Sequence, residues 1–369
     1  MTPRTQTILT VLGARPQFIK AAVVSRAFAT RSRICEHIVH TGQHFDDSMS
    51  QVFFREMGIP EPRWNLGVSG LSHGAMTGRM LEGIEAILVA ERPDMVLVYG
   101  DTTSTLAGAL AAAKLGIPIA HVEAGLRSFN RAMPEEINRV LTDHAAQLLF
   151  APTAAAVANL RREGFPGAAV HCVGDVMYDG CLAYGALAAE RSTILRDLDL
   201  LGRPYVLATF HRQENTDDPN RLATIVRALA ATALHVTVVV PLHPRTRRIL
   251  ANMPQIADPL ARLRLSEPLG FFDMMVLERH ARLIATDSGG VQKEAYFHGV
   301  PCVTLRHETE WVELVEIGAN RLAPPEDERT VTETIRTMLD IDRSVFAGHA
   351  PFGDGRAAER IVDVIAEAG

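Results

Sequence analysis

The 369 residues include only four cysteines, Cys35, Cys172, Cys181 and Cys302, and none of them forms a CxxC pair. A disulfide framework or a cysteine-built metal site therefore has little material, and the thiols read as reduced cysteines of a cytoplasmic protein. Long apolar runs are also missing. None reaches the roughly 18 residues of a membrane span, and the short run at 8–12 passes directly into Gly13-Ala14-Arg15-Pro16, which is not a signal-peptide arrangement. There is no cationic excess: 37 Lys and Arg stand against 43 Asp and Glu, a net charge of -6. That balance argues against a nucleic-acid or anionic-membrane partner, yet leaves room for a local cationic pocket around a small anion. GxGxxG is absent from the first strand-to-helix turn and no Walker A sequence occurs, so no nicotinamide or other cofactor is expected.

The hydrophobic fraction is 47%, enough for two ordinary cores in a chain of this length. Apolar runs that stop at glycine or a polar cluster alternate with helical periodicity. In the first half, strands are expected at 8–12, 38–40, 95–99, 119–122 and 148–151. Helices are expected at 18–30, 49–56 and 104–115. The second half starts afresh with strands at 205–209, 236–240, 283–286 and 301–305, a helix at 221–231 and a last helix at 357–365. This alternation describes an α/β chain of two Rossmann-like domains, with parallel sheets covered by helices. The expected division is 1–177, 178–355 and a C-terminal helix at 356–369 that packs back towards the first domain. In such folds a ligand lies beyond the carboxyl ends of the strands, here in a central cleft between domains.

The polar residues that interrupt the pattern fall at those strand ends. Gly13-Ala14-Arg15-Pro16-Gln17 lies between strand and helix, where N–H groups attract an anion; Arg15 and Lys20 add positive charge. The plain alternative is a tight turn with a surface arginine. Asp287-Ser288-Gly289-Gly290 opens a second helix start whose glycines permit close backbone approach, and Glu294 beyond it suits a diol such as ribose. A simple helix cap is the alternative there. Asp101, Glu123, Glu135 and Glu136 form an acidic set suited to paired general acid and base roles. Asp101 could instead cap a helix, and Glu136 could face solvent. His211-Arg212 and His243-Pro244-Arg245 read as a phosphate clamp. A metal held by His211, His243 and Asp287 is the competing reading, and no compact ligand spacing supports it. His40, His44, Phe53, Phe54, Trp64 and Trp311 read as loop, packing or pocket-wall residues.

Eight segments in order resemble the non-hydrolysing UDP-N-acetylglucosamine 2-epimerases over almost the whole chain. They are GARPQFIK (13–20), HTGQH (40–44), VYGDTTSTLAG (98–108), HVEAGLRS (121–128), PEEINR (134–139), HRQEN (211–215), PLHP (241–244) and DSGGVQKEA (287–295). The resemblance implies a glycosyltransferase-B-like architecture, a homodimer and a UDP-linked amino sugar as substrate. It also implies epimerisation at C2 by elimination and re-addition of UDP through a glycal-like intermediate. Carried over by position, Asp101, Glu123 and Glu135 match the catalytic carboxylates, and Arg15 and His211 match residues that hold or neutralise the diphosphate. Arg139 fits a supporting polar network. Ser288, Gly289, Gly290 and Glu294 match the uridine-nucleotide cradle, and His243 joins the expected UDP contacts.

The short stretch between Glu123 and Glu135, and Thr309-Glu310-Trp311-Val312-Glu313, look more like the branch acting on UDP-2,3-diacetamido-2,3-dideoxyglucuronate. In that branch Arg131 or Arg306 could pair with the C6 carboxylate of the sugar; ordinary solvent-facing arginines are the alternative. A UDP-sugar glycosyltransferase, a hydrolysing 2-epimerase and a non-enzymatic nucleotide-sugar sensor are the competing functions.

Overall fold

The computed structural model describes residues 5–43 and 57–368, with the Arg15 side chain left out. The helix expected at 49–56, with His44, Phe53 and Phe54, therefore lies outside the described residues. Contacts divide the chain into two compact units, Met1–Ala183 with Ala350–Gly369, and Tyr184–His349. The expected boundary at 177/178 falls inside the helix Val176–Arg191, so the division comes a little later in the chain. The last helix, Ala357–Ala368, belongs to the first unit. The N–H groups of Ala357 and Ala358 donate to Asp179 at 3.2 and 2.8 Å.

The first unit holds strands β1 (Gln6–Leu12), β2 (Ile34–His40), β3 (Trp64–Asn65), β4 (Met95–Tyr99), β5 (Ile119–Val122), β6 (Leu148–Ala151) and β7 (Val170–Cys172). They form one sheet in the order β3-β2-β1-β4-β5-β6-β7, every pair parallel. The second unit holds β8 (Tyr205–Thr209), β9 (Thr237–Pro241), β10 (Arg264–Ser266), β11 (Leu283–Thr286), β12 (Cys302–Thr304) and β13 (Asn320–Leu322). Their order is β10-β9-β8-β11-β12-β13, again all parallel.

The central strands are apolar on both faces because helices cover both. β4 and β8 are buried along their whole length. Val96, Val98, Ala107 and Ile84 share the core of the first unit; Val206, Val240, Leu229 and Ile335 share that of the second. Each of the valines, leucines and isoleucines among them contributes about 1.5–3 kcal/mol by leaving water. In both sheets the direction of winding reverses between the first strand and the fourth, β1 against β4 and β8 against β11. That reversal splays the following loops apart and leaves a crevice at the carboxyl ends, the standard ligand position in this topology. Among the described residues no helix is long and apolar enough to cross a membrane.

Candidate active site

In the first unit the loops after β1, β4 and β5 meet at the switch point. Gly13 is required by space: a Cβ there would lie 2.0 Å from Thr41 Oγ1 and 2.1 Å from Ser104 Oγ. The N–H groups of Gly13 and Ala14, expected to face an anion, instead donate to Gln17 Oε1 at 2.8 and 2.9 Å. Gln17 Nε2 in turn donates to Tyr99 O and Thr105 Oγ1, so one buried amide fastens the β1 turn to the end of β4. This corrects the first expectation for that turn. The N–H groups of Gly13, Ala14 and Gln17 are satisfied within the turn itself.

The expected carboxylates do converge on this end of the sheet. Glu123 follows β5 in a left-handed conformation, φ 74°, and its Oε1 accepts from Lys20 Nζ at 2.6 Å with both side chains buried. Lys20, expected as a phosphate contact, is thus tied to Glu123. Asp101 follows β4 and accepts from Arg139 Nε at 3.1 Å, with a further contact from Nη2. Arg139, on the helix Pro134–Ala145, also reaches Glu136 at 3.2 Å. Asp101 is not the helix cap. Thr102 fills that place, its Oγ1 accepting from Thr105 N at 3.2 Å, and the Asp101 carboxylate is left for Arg139.

The neighbouring glutamates separate into two roles. Glu136 is buried rather than solvent-facing. It accepts from Ser128 N, Ser128 Oγ and Phe129 N at 2.9–3.0 Å, fixing the loop that follows Glu123. Glu135 is half-buried at the start of the same helix, and among the described residues it has no such anchoring contact.

Sequence reasoning passed over His121. It sits in the centre of an otherwise apolar strand, fully buried. Its Nδ1 lies 2.7 Å from Asp143 Oδ1 and its Nε2 lies 2.7 Å from the Gly100 carbonyl oxygen. The signal was available, because a lone histidine in a buried strand needs polar partners.

In the second unit the carboxyl ends of β8, β9 and β11 carry the expected residues with a different division of labour. Asp287 is fully buried and accepts from His211 N, Arg212 N and Asn215 Nδ2 at 3.0–3.1 Å. It is the anchor of the loop after β8. Among the described residues no group of three or more His, Cys, Asp or Glu could hold a metal ion.

The His211 side chain is half exposed, 3.6 Å from Asp287. His243 caps the helix Pro244–Leu250, its Nδ1 accepting from Arg245 N at 3.2 Å. Burial, and then the positive neighbours His211, Arg245 and Arg248, hold the His243 imidazole below its ordinary value of 6.5. Cations thus crowd this corner, as an anion site requires. Ser288 caps the helix Gly289–Phe297. A Cβ on Gly290 would meet Ser288 Oγ at 3.8 Å and Glu294 Oε2 at 3.9 Å, ordinary contacts, so the Glu294 carboxylate lies beside this helix start.

The segment after β12 braces this cradle. Trp311 is buried and its Nε1 donates to Gly289 O at 2.8 Å; Lys293 Nζ lies 4.6 Å from the centre of its ring. Arg306 is corrected here. Its side chain is fully buried and contacts Glu310 at 3.0 Å, Glu308 at 3.4 Å and Glu214 at 3.9 Å. Three carboxylates already surround it, so it is not available to a sugar carboxylate. Arg131 is exposed.

The family described as UDP-N-acetylglucosamine 2-epimerase matches residues 26–366. The chain is 50% identical over 364 residues to a UDP-2,3-diacetamido-2,3-dideoxy-D-glucuronate 2-epimerase of Pseudomonas aeruginosa, covering 98% of this chain and 99% of that protein. It is similar to the crystal structure of the Methanocaldococcus jannaschii UDP-GlcNAc 2-epimerase in complex with UDP-GlcNAc and UDP. That match has a TM-score of 0.90 at 40% identity and covers 99% of this chain and 100% of the other. The Neisseria meningitidis UDP-GlcNAc 2-epimerase bound to UDP-GlcNAc matches with a TM-score of 0.89 at 28% identity, covering 98% and 100%. With the family's model matched over 26–366 and half of the residues shared with a relative along nearly the whole of both chains, this protein belongs to the UDP-N-acetylglucosamine 2-epimerase family.

Proposed function

We propose that this chain inverts C2 of a UDP-linked N-acetylated amino sugar. The observation that carries the reading is the pair of carboxylates at the ends of adjacent strands, Asp101 and Glu123, each held by a buried cation, Arg139 and Lys20. The C2 proton of such a sugar is not next to a carbonyl, so its direct removal would leave an unstabilised carbanion. Elimination avoids this. A carboxylate takes the C2 proton, the electron pair forms the C1–C2 double bond, and the C1–O bond breaks with UDP leaving. A proton from a second group, exchanged with solvent, is then delivered to the opposite face of C2 while a UDP oxygen adds back to C1.

Asp101, Glu123 and Glu135 handle the proton in this scheme. Arg15, His211 and His243 balance the charge growing on the diphosphate, and Ser288, Gly289, Gly290 and Glu294 receive the nucleoside. A glycosyltransferase-B-like architecture is part of the proposal, supported by the whole-chain match to the M. jannaschii enzyme. So is a homodimer. Exposed Phe129, Ile137 and Leu141 on the first unit supply apolar surface for one. Cys35, Cys172, Cys181 and Cys302 read as reduced thiols, as a reducing cytoplasm would keep them.

For the sugar, the relative at 50% identity favours the 2,3-diacetamido-2,3-dideoxyglucuronate. UDP-N-acetylglucosamine is the second reading, favoured by the match to the UDP-GlcNAc complex. Incubation with each UDP-sugar separately, with NMR of the products, decides between them. A C2 epimer from one sugar names the substrate, whereas free UDP with no epimer, or transfer to an added acceptor, overturns the reading.

A further inference from the structure

Two of the three carboxylates of the proposed reaction, Glu123 and Asp101, hang from unusual backbone. Glu123 has φ 74°, a conformation that costs a non-glycine residue about 1 kcal/mol or more and persists only where its surroundings hold it. Asp101 follows Gly100, whose φ is +64°. The same buried pair reaches both turns. His121 Nε2 lies 2.7 Å from the Gly100 carbonyl oxygen and Nδ1 lies 2.7 Å from Asp143 Oδ1. Asp143 Oδ2 accepts from Gly125 N at 3.0 Å and from Arg127 Nη1 at 2.7 Å. Residues 121 and 125, on either side of Glu123, are therefore fastened to one carboxylate. A side chain at 125 is excluded, since its Cβ would lie 2.5 Å from Ala156 O.

The atoms settle which way the protons point. A carbonyl oxygen can only accept, so Nε2 must donate to Gly100. On its other oxygen Asp143 accepts from Gly125 N and pairs with the buried Arg127 guanidinium, so both of its oxygens act as acceptors. It is a carboxylate, and Nδ1 must donate as well. A ring with two donors is the imidazolium.

We infer that His121 stands as a buried imidazolium and, together with Asp143, is a positioning residue that sets the Gly100–Asp101 and Glu123 turns. Its positive charge is matched by Asp143. Arg127 is matched in turn by Glu163, at 2.7 Å through both Nε and Nη2. An alternating row of charges thus runs from the partly exposed Glu163 to the foot of the proposed catalytic carboxylates. Such a row stays stable in a dry interior only while complete.

The role in turnover rests on the function proposed above; the charged state does not. Neutron diffraction from the unmodified, deuterated protein at neutral pH reads the charge directly. Deuterons on both His121 ring nitrogens are expected, and a single deuteron overturns the inference whatever the protein is found to catalyse. With the substrate identified, His121→Gln and Asp143→Asn are each expected to lower kcat about 100-fold, the scale of a misplacement near 1 Å. KM and UDP affinity should stay close to the parent. A kcat equal to the parent's in both folded variants, or a fall in UDP affinity in step with kcat, would show a general packing role. Should His121→Gln fail to fold, Asp143→Asn and the neutron structure still decide.

Discussion

At the two switch points the same topology presents opposite chemistry. In the first unit β4 and β5 run out into Asp101 and Glu123, and the cations Arg139 and Lys20 are buried beside them. In the second unit the acid at the switch point, Asp287, is itself buried against N–H donors of the next loop, and the exposed groups are His211 and His243. Which group is buried decides which is offered to a ligand: carboxylates that can move a proton in one unit, imidazoles that can hydrogen-bond a diphosphate in the other. The fold determines where these groups stand, and the choice of buried partner determines what they can do.

The strongest way to break this contrast is to neutralise the first site. Asp101→Asn is expected to lower kcat about 1,000-fold, within the usual span for acid–base groups. UDP affinity by calorimetry should hold nearly constant, because Asp101 is assigned to the proton and not to the nucleotide. An equal loss of UDP affinity would merge the two roles.

A pH experiment separates the units by stability. In the second, burial, Arg279 and His280 push the His298 imidazole down from 6.5 to about 4. Between those values the unfolded chain holds a proton that the folded chain does not. This term therefore makes stability rise with pH, by about 3 kcal/mol over the window. Glu278, raised by burial and by the charge of Glu294, acts in the opposite sense over part of it. The reading is therefore the difference between the parent and His298→Gln in urea unfolding, which should change steadily from pH 4 to 6.5. Asp143 in the first unit is held below 3.8, so its contribution is present above that value and is lost only as pH falls through the lower folded one. Hydrogen exchange that places the His298-dependent slope in the first unit would contradict this division.

The two glycine turns sharpen the comparison with smaller effects. Gly13→Ala forces a Cβ to 2.0 Å from Thr41 Oγ1 and should destabilise the protein by about 1–3 kcal/mol, as overpacking does. Gly290→Ala meets nothing closer than 3.8 Å and should change stability by about 0.5 kcal/mol or less. If Gly290 is there for a ligand's close approach, that second variant still loses UDP affinity, by about tenfold. Unchanged affinity would make the glycine dispensable.

Most of this contrast was legible in the sequence, and the rest was hidden for physical reasons. The central strands β1, β4, β5, β8 and β11 announce themselves because double-sided burial demands unbroken apolar runs. The four strands missing from that reading, β3, β7, β10 and β13, are the four sheet edges. They are two or three residues long and include partly exposed positions, so no apolar run marks them. At the site, Asp101, Glu123, His211 and Ser288 could be picked out because polar residues interrupt strand ends. Their partners could not. That Gln17 satisfies the Gly13 turn, that Lys20 pairs with Glu123, and that Arg306 is enclosed by Glu214, Glu308 and Glu310 are facts of side-chain direction across distant segments. His121 lay in plain view, yet its meaning depended on Asp143 and on a carbonyl 21 residues earlier.

The central claim is that this chain makes and breaks the C2–H bond of a UDP-linked amino sugar. The most direct measurement is turnover of UDP-2,3-diacetamido-2,3-dideoxyglucuronate, and separately of UDP-N-acetylglucosamine, in D₂O, followed by NMR at C2. The account predicts a C2 epimer carrying solvent deuterium at C2, with deuterium washing into the substrate pool as the reaction reverses. An epimer that keeps its original C2 hydrogen, or no exchange at C2 with either sugar, would contradict it.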